Sequence, residues 1–464
     1  MRTFDTNTTL HLLVLLLCLC SYKTKERHQC KSDILASAEA SAHAKKRRKK
    51  KRVPWSSVDL MLNERQFRRM FRMTRECFAL LCEKIKISVG ESVFKSQVYI
   101  DTFLDYPGSI HTTNCETRGG FISGETKLAI TIRMLAGGDC MDLSVMFDIY
   151  SGHCKIIMYK VLEQWINNSG IGGIDIQSYL NDEVALAKVS EGFSVRSDGV
   201  LKGAIGAIDG WLVKIQKPSW RYDRIKNSLS FYSRKGFFAL NVQCIVDHQK
   251  KVLWASYRHK GASHDSSAFR DTKLYQLLKK KAEWLHARGY FLLGDSAYAI
   301  ESFIIPPYDL VKPKTPNDDF NFFHSSARIT VECAFGEIDL RWGLFWRRLN
   351  FSLKHSFVII EGAMRIHNFL VDYRNDNIEE LRTELTHSCT QFYSSSSGVD
   401  EIPGVVVNDS RRLCGRVAFE ERLRRVQGLE IRDNLRQAIV DHNMHRPALD
   451  NEWYYNNINH TVRM

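Results

Sequence analysis

A mixed β-sheet flanked by helices, preceded by an all-helical region, is the α/β (α+β) architecture the sequence predicts. Three observations carry it. Apolar residues recur at spacings near three and four from Trp55 through Ile166. Short apolar, β-branched runs start near residue 200. A helical apolar stripe then returns over residues 324–342.

Residues 1–52 read as a tail. The segment Leu10 to Cys20 is nearly all apolar, too short to span a bilayer as a helix but suited to a signal-peptide core. Only Arg2, balanced by Asp5, precedes it, and no small-x-small cleavage site follows. A secreted protein therefore stands as a minor alternative. The tail ends in KKRRKKKR, that is Lys45, Lys46, Arg47, Arg48, Lys49, Lys50, Lys51 and Arg52. These eight residues supply over half of the formal net charge of +14. Such a run serves as a nuclear-import signal or a phosphate-binding arm, with a solvated charged tail as the plain alternative.

Residues 53–199 form the helical region. Phe67, Met70, Phe71, Cys77, Phe78, Leu80 and Leu81 lie on one periodic face, with Arg65, Arg68, Arg69 and Arg72 between them. Glu125 to Leu135 predicts a helix closed by Gly137-Gly138. Asp142 to Phe147 predicts a short helix, Asp148-Ile149-Tyr150 a turn, and Ile156 to Ile166 a longer amphipathic helix with Ser151 as N-cap. That order is the one helix-turn-helix DNA binders use, and an ordinary helical hairpin has it too.

Residues 200–372 hold the sheet. Ala204 to Ile208 is apolar and ends on Asp209-Gly210, and Trp211 to Ile215 alternates. Phe237 to Val246 and Val252 to Tyr257 are further strands. Ser266 to Trp284 reads as a helix, Tyr290 to Leu293 as a strand ending on Gly294-Asp295, and residues 324–342 as a helix. Residues 373–464 begin as a polar linker and end in a charged helical stretch over 410–442, which either docks on the core or binds a partner.

Hydrophobic residues make up 44 % and charged residues 25 % of the 464, the balance of a folded protein rather than a disordered chain. The basic excess points to an acidic partner, most often nucleic acid. Twelve cysteines include no CxxC pair, so neither a zinc site nor a disulfide framework is suggested and reduced thiols are expected.

Two apolar strands thus end on Asp209 and Asp295, where α/β folds gather their sites. Glu332 borders the buried stripe Val331, Phe335, Ile338, Trp342 and Phe345, with Arg328 one turn before it. Three such carboxylates suit two Mg²⁺ or Mn²⁺ ions about 4 Å apart, the arrangement used in phosphodiester displacement. Each acid also has a plain structural reading. Asp209-Gly210 fits a hairpin turn, Asp295 a helix cap, and Glu332 with Arg328 a surface i,i+4 pair.

The flanks favour the site. AIDGWLVKIQKP, FYSRKGFFALNVQCIVD, HKGASHDSSAFRDTKLY, GYFLLGDSAY and RITVECAFGEIDLRWGLF, in this order, closely resemble the catalytic domain of PIF/Harbinger transposases and of the nucleases derived from them. IRMLAGGDCMDLSVMFDI is similar to that family's helix-turn-helix part. The resemblance implies an RNase-H-like fold and a DDE site with Asp209, Asp295 and Glu332 as catalytic metal ligands. It implies Asp265 as a further metal contact, with a helix N-cap as the alternative, and a structural or substrate-facing His264. Arg234 and Lys235 match a basic pair read as phosphate contacts, and Arg341 is read either so or as the partner of a nearby acid. Trp211 stands where a small residue is usual, and Ala297 where glycine is.

The expected function is a divalent-metal-dependent DNA endonuclease or transposase in the nucleus, with cytoplasmic presence allowed. The alternative is a domesticated DNA-binding protein without cleavage. Expected partners are DNA and, by the resemblance, a separately encoded Myb-like protein. A homo-oligomer is allowed, and no stable membrane association is expected.

Overall fold

The computed structural model describes residues 52–89, 122–168, 171–376 and 415–446. The apolar run Leu10 to Cys20 and the basic run, apart from Arg52, lie outside the described residues. From Val53 onward the described residues belong to one compact unit.

The helical region opens with α1 (Trp55–Met61), α2 (Glu64–Phe71) and α3 (Arg75–Val89). Asn63 and Gln66 form a capping box at the start of α2, which separates it from α1. Trp55, Phe67, Phe71 and Phe78 pack together, with ring centroids 4.7 to 6.1 Å apart. Helix α4 (Gly124–Leu135) is buried along nearly its whole length and packs on α6 (Ser151–Asn168). Between them lies α5 (Cys140–Met146), capped by Asp139. The turn before α6 uses Asp148 in the left-handed region, at φ 46°. The expected short helix, turn and longer helix are therefore present, although the longer one already begins at Ser151, which is its first residue and not its N-cap. Helices α7 (Ile176–Asn181) and α8 (Glu183–Arg196), capped by Asp175 and Asp182, lead into the sheet.

Strands β1 (Ala204–Lys214), β2 (Ala239–Val246), β3 (Val252–Lys260), β4 (Phe291–Leu293) and β5 (Ile304–Ile305) lie in the order β3-β2-β1-β4-β5. β1, β2 and β3 pair antiparallel, whereas β4 and β5 run parallel to β1. This is a mixed RNase-H-like sheet. β2 is buried at every position, as a central strand should be.

One sheet face packs on α7 and on α9 (Asp265–Arg270), α10 (Lys273–Lys280) and α11 (Ala282–Ala287) through Ile205, Ile208, Phe269, Leu278 and Leu285. The single helix expected over 266–284 is broken because the Thr272 hydroxyl caps α10, accepting from Tyr275 N–H at 3.1 Å. The other face packs on α12 (Pro316–Arg341) and shares one continuous core with the N-terminal helices and α13 (Leu353–Asp376). Helix α12 begins eight residues before the expected 324, set by Thr315 as N-cap and Pro316 in its first turn. Finally α14 (Gly415–Asp441) lies against β5 and α12, so the charged C-terminal stretch docks on the core. Among the described residues no helix is long and apolar enough to cross a membrane.

Candidate active site

β1 does not stop at Asp209. It stays paired with β2 from Ala207↔Val246 to Lys214↔Ala239, so Asp209-Gly210 is strand, not a hairpin turn. What ends is the other side. The parallel pairing with β4 closes at Ala207↔Leu293. Asp209 and Asp295 each follow that pair by two residues, so the register itself delivers both acids to the same end of the sheet.

The Asp209 side chain is 18 % exposed. Its Oδ1 accepts from Gly210 N–H at 2.7 Å, and its Oδ2 meets Arg328 Nη1 at 3.1 Å. Burial pushes its carboxyl up to about 6 against the pull of that amide and of Arg328, with Asp295 and Asp265 pushing the same way as burial. Burial likewise raises Asp295, whose Oδ1 accepts from Ala297 N–H at 3.0 Å and which feels Asp265. The Arg328 and Arg234 guanidiniums oppose that rise.

Glu332 reaches this group through one residue. Arg328 on α12 gives Nη1 to Asp209 and Nη2 to Glu332, four residues on. The i,i+4 pair expected as an alternative therefore exists, and the same guanidinium also ties Glu332 to the sheet. Trp211 holds α12 in place. Its indole stacks on Phe335 at 5.7 Å and meets Phe345 edge-on at 5.1 Å. The unusual residue after Asp209-Gly210 is thus a packing anchor.

Asp265 comes from the opposite face, as the first residue of α9, with His264 at the N-cap position making no side-chain cap bond. Asp265 is therefore not the N-cap. Its Oδ1 accepts from Asn241 Nδ2 at 2.9 Å and Gln243 Nε2 at 2.8 Å, and Tyr298 Oη donates to Gln243 Oε1 at 2.7 Å. Gly210 makes this approach possible, since a Cβ there would lie 2.1 Å from Asp265 Oδ1. Asn241, Gln243 and Tyr298 went unread in the sequence. Two amides in alternate positions of an otherwise apolar strand were the available signal.

Arg234 acts on Asp295, and Lys235 is exposed beside it. Arg341 is turned inward instead. Its Nη1 donates to the Arg72 carbonyl at 3.2 Å, and its charge acts with those of Glu337 and Arg374. That placement ties α12 to the loop after α2, so a phosphate-contact role is not what the fold offers it.

The donor chemistry suits a hard divalent cation: Asp209, Asp265, Asp295 and Glu332 supply oxygens, and the carboxyls of Asp209 and Asp295 are raised, chiefly by burial and further by neighbouring acids. Among the described residues, however, no three acidic, His or Cys side chains stand close enough together to hold one ion. Arg328 stands between Asp209 and Glu332.

Comparison with known proteins finds likenesses along the same stretch of chain. The chain is similar to "Protein ALP1-like" of Arabidopsis thaliana, 20 % identical over 366 residues, covering 75 % of this chain and 82 % of the relative. No solved structure matches it. Residues 208–368 match the DDE superfamily endonuclease family, beginning one residue before Asp209 and taking in Asp265, Asp295 and Glu332. The match therefore runs from within β1 into α13, the stretch that holds the sheet and all four acids.

Proposed function

We propose that the chain is a divalent-metal-dependent DNA endonuclease of the transposase type, with Asp209, Asp295 and Glu332 as metal ligands and Asp265 as a further contact. The observation that supports it most is the parallel register that sets Asp209 and Asp295 side by side at one sheet end, next to the Arg328-linked Glu332. Bound Mg²⁺ or Mn²⁺ would supply charge for the attacked phosphate and its leaving oxygen. The protein's own part is to hold the carboxylates on a rigid sheet and helix, and to offer Arg234 and Lys235 to the phosphate backbone. Helices α5 and α6, in helix-turn-helix order, are the proposed duplex contact. A separate Myb-like partner is a proposal carried by the resemblance alone, and self-association is a further proposal.

In Mg²⁺ or Mn²⁺, the wild-type chain should nick plasmid DNA, and Asp209→Asn and Glu332→Gln should each reduce the rate by about 100-fold or more. Equal rates in wild type and both variants would end the nuclease reading. The second reading, a DNA-binding protein that no longer cuts, is favoured by the lack of a gathered metal cluster among the described residues. It predicts retained DNA binding with no nicking in any of the three. Nuclear residence is proposed from the run at 45–52. A tagged chain lacking that run should fail to concentrate in the nucleus, and undiminished nuclear signal would rule the run out as the import signal.

A further inference from the structure

Arg328 makes contacts that neither a surface ion pair nor a core residue needs. Its side chain is 18 % exposed, and its two terminal nitrogens go to acids on different elements, Asp209 on β1 and Glu332 on its own helix. Its charge also acts on Asp295. A planar guanidinium can serve two carboxylates at once, which an ammonium cannot do as well. Arg328 thus stands in contact with two acids from different elements and within electrostatic reach of a third.

We propose that Arg328 is the resident counter-cation of this site: it competes with divalent ions for Asp209 and Glu332, and yields them when a DNA phosphate takes up its guanidinium, so that metal binding is coupled to DNA binding. This rests on the metal-nuclease reading above. The guanidinium takes Asp209 Oδ2 and Glu332 Oε1, while Asp209 Oδ1 takes the Gly210 amide, so an ion drawing on those oxygens competes with the arginine for their charge. A phosphodiester is a competing anion that favours the displaced state. Ion and DNA then each strengthen the other's binding, by the reciprocity of linked equilibria. The consequence is a site that stays metal-poor until substrate arrives. In this scheme Arg328 acts on the ion through the carboxylates and on the DNA by direct contact with its phosphate.

The sign of one measurement separates this from a scaffolding role. Mn²⁺ binding to the full chain is followed by the paramagnetic resonance signal of the free ion, with Asp209→Asn protein as the blank, with and without a short DNA duplex. The duplex binds Mn²⁺ itself, so the blank includes it. Arg328→Gln should bind Mn²⁺ about tenfold more tightly than wild type without DNA, and Arg328→Lys should fall between. Adding duplex should tighten Mn²⁺ binding to wild type and change Arg328→Gln little. Equal or weaker binding by Arg328→Gln would overturn the proposal, because an arginine that merely orients Glu332 loses affinity when removed. Should Arg328→Gln fail to fold, Arg328→Lys carries the comparison with the same signs. Mn²⁺ binding no greater than the blank in every variant, with and without duplex, would overturn the metal-nuclease reading together with this one.

Discussion

Asp209 shows how a site of this kind is held at the expense of stability. Its carboxyl is raised from the usual 3.8 to about 6, chiefly by burial, so the folded state prefers it protonated. Below the unfolded value the group is neutral in both states and costs nothing. As pH rises from about 4 to 6 the unfolded acid ionises while the folded one keeps its proton, and the penalty grows until it is complete above that. Asp209→Asn should therefore stabilise the metal-free protein by about 2 to 3 kcal/mol at pH 7 to 8, and by much less at pH 4. Thermal unfolding of the two proteins across that range checks it. A variant no more stable than wild type at pH 8 would mean that the Arg328 pair outweighs burial. The residue was legible in the sequence as an acid ending an apolar run. Its mid-strand position was not, because Asp-Gly favours turns locally and only pairing with β2 across a long connection overrides that preference.

Among the elements, those with periodic patterns were read best. α4, α6 and the central strands stand close to where their apolar spacing put them. The errors lie where a single side chain decides a boundary. Thr272 breaks one expected helix into pieces, and Thr315 with Pro316 lengthens another. Both are hydroxyl caps, which periodicity does not see. The site was legible in the same uneven way. Asp209, Asp295 and Glu332 could be named from their flanks. The second contact of Arg328 could not, because it joins residues 119 positions apart and forms only once α12 packs on β1. The Asn241-Gln243-Tyr298 network escaped for the same reason, since each residue taken alone reads as filler in an apolar stretch.

At the scale of the whole molecule, the helical region and the sheet are not separate bodies. One continuous core runs from Val58 through Trp165 and Trp342 to Ile439. The last of these belongs to α14, whose attachment is tertiary and specific. Arg424 Nε donates to Glu301 Oε2 at 3.1 Å, and Tyr275 Oη donates to Glu301 Oε1 at 2.6 Å, with Glu301 only 3 % exposed. The helix comes down close at Gly428, where a Cβ would meet the Glu301 carbonyl at 2.6 Å. Below them Arg446 N–H and Nη1 reach Asp319 and Asp318 at the start of α12.

None of those contacts depends on the chain running unbroken between α13 and α14. Residues 1–376 and 415–464, co-expressed as separate polypeptides, should consequently find each other and co-purify as a split protein. Arg424→Met in the smaller piece leaves Glu301 buried without its main counter-charge, which costs about 3 kcal/mol, and should weaken that assembly by roughly 100-fold. Pieces that never associate would show that the helix is held mainly by its tether. If they do associate, the C-terminal segment becomes a detachable subunit, through which a cell or an experimenter could supply or withhold the cover on the β5 edge of the sheet.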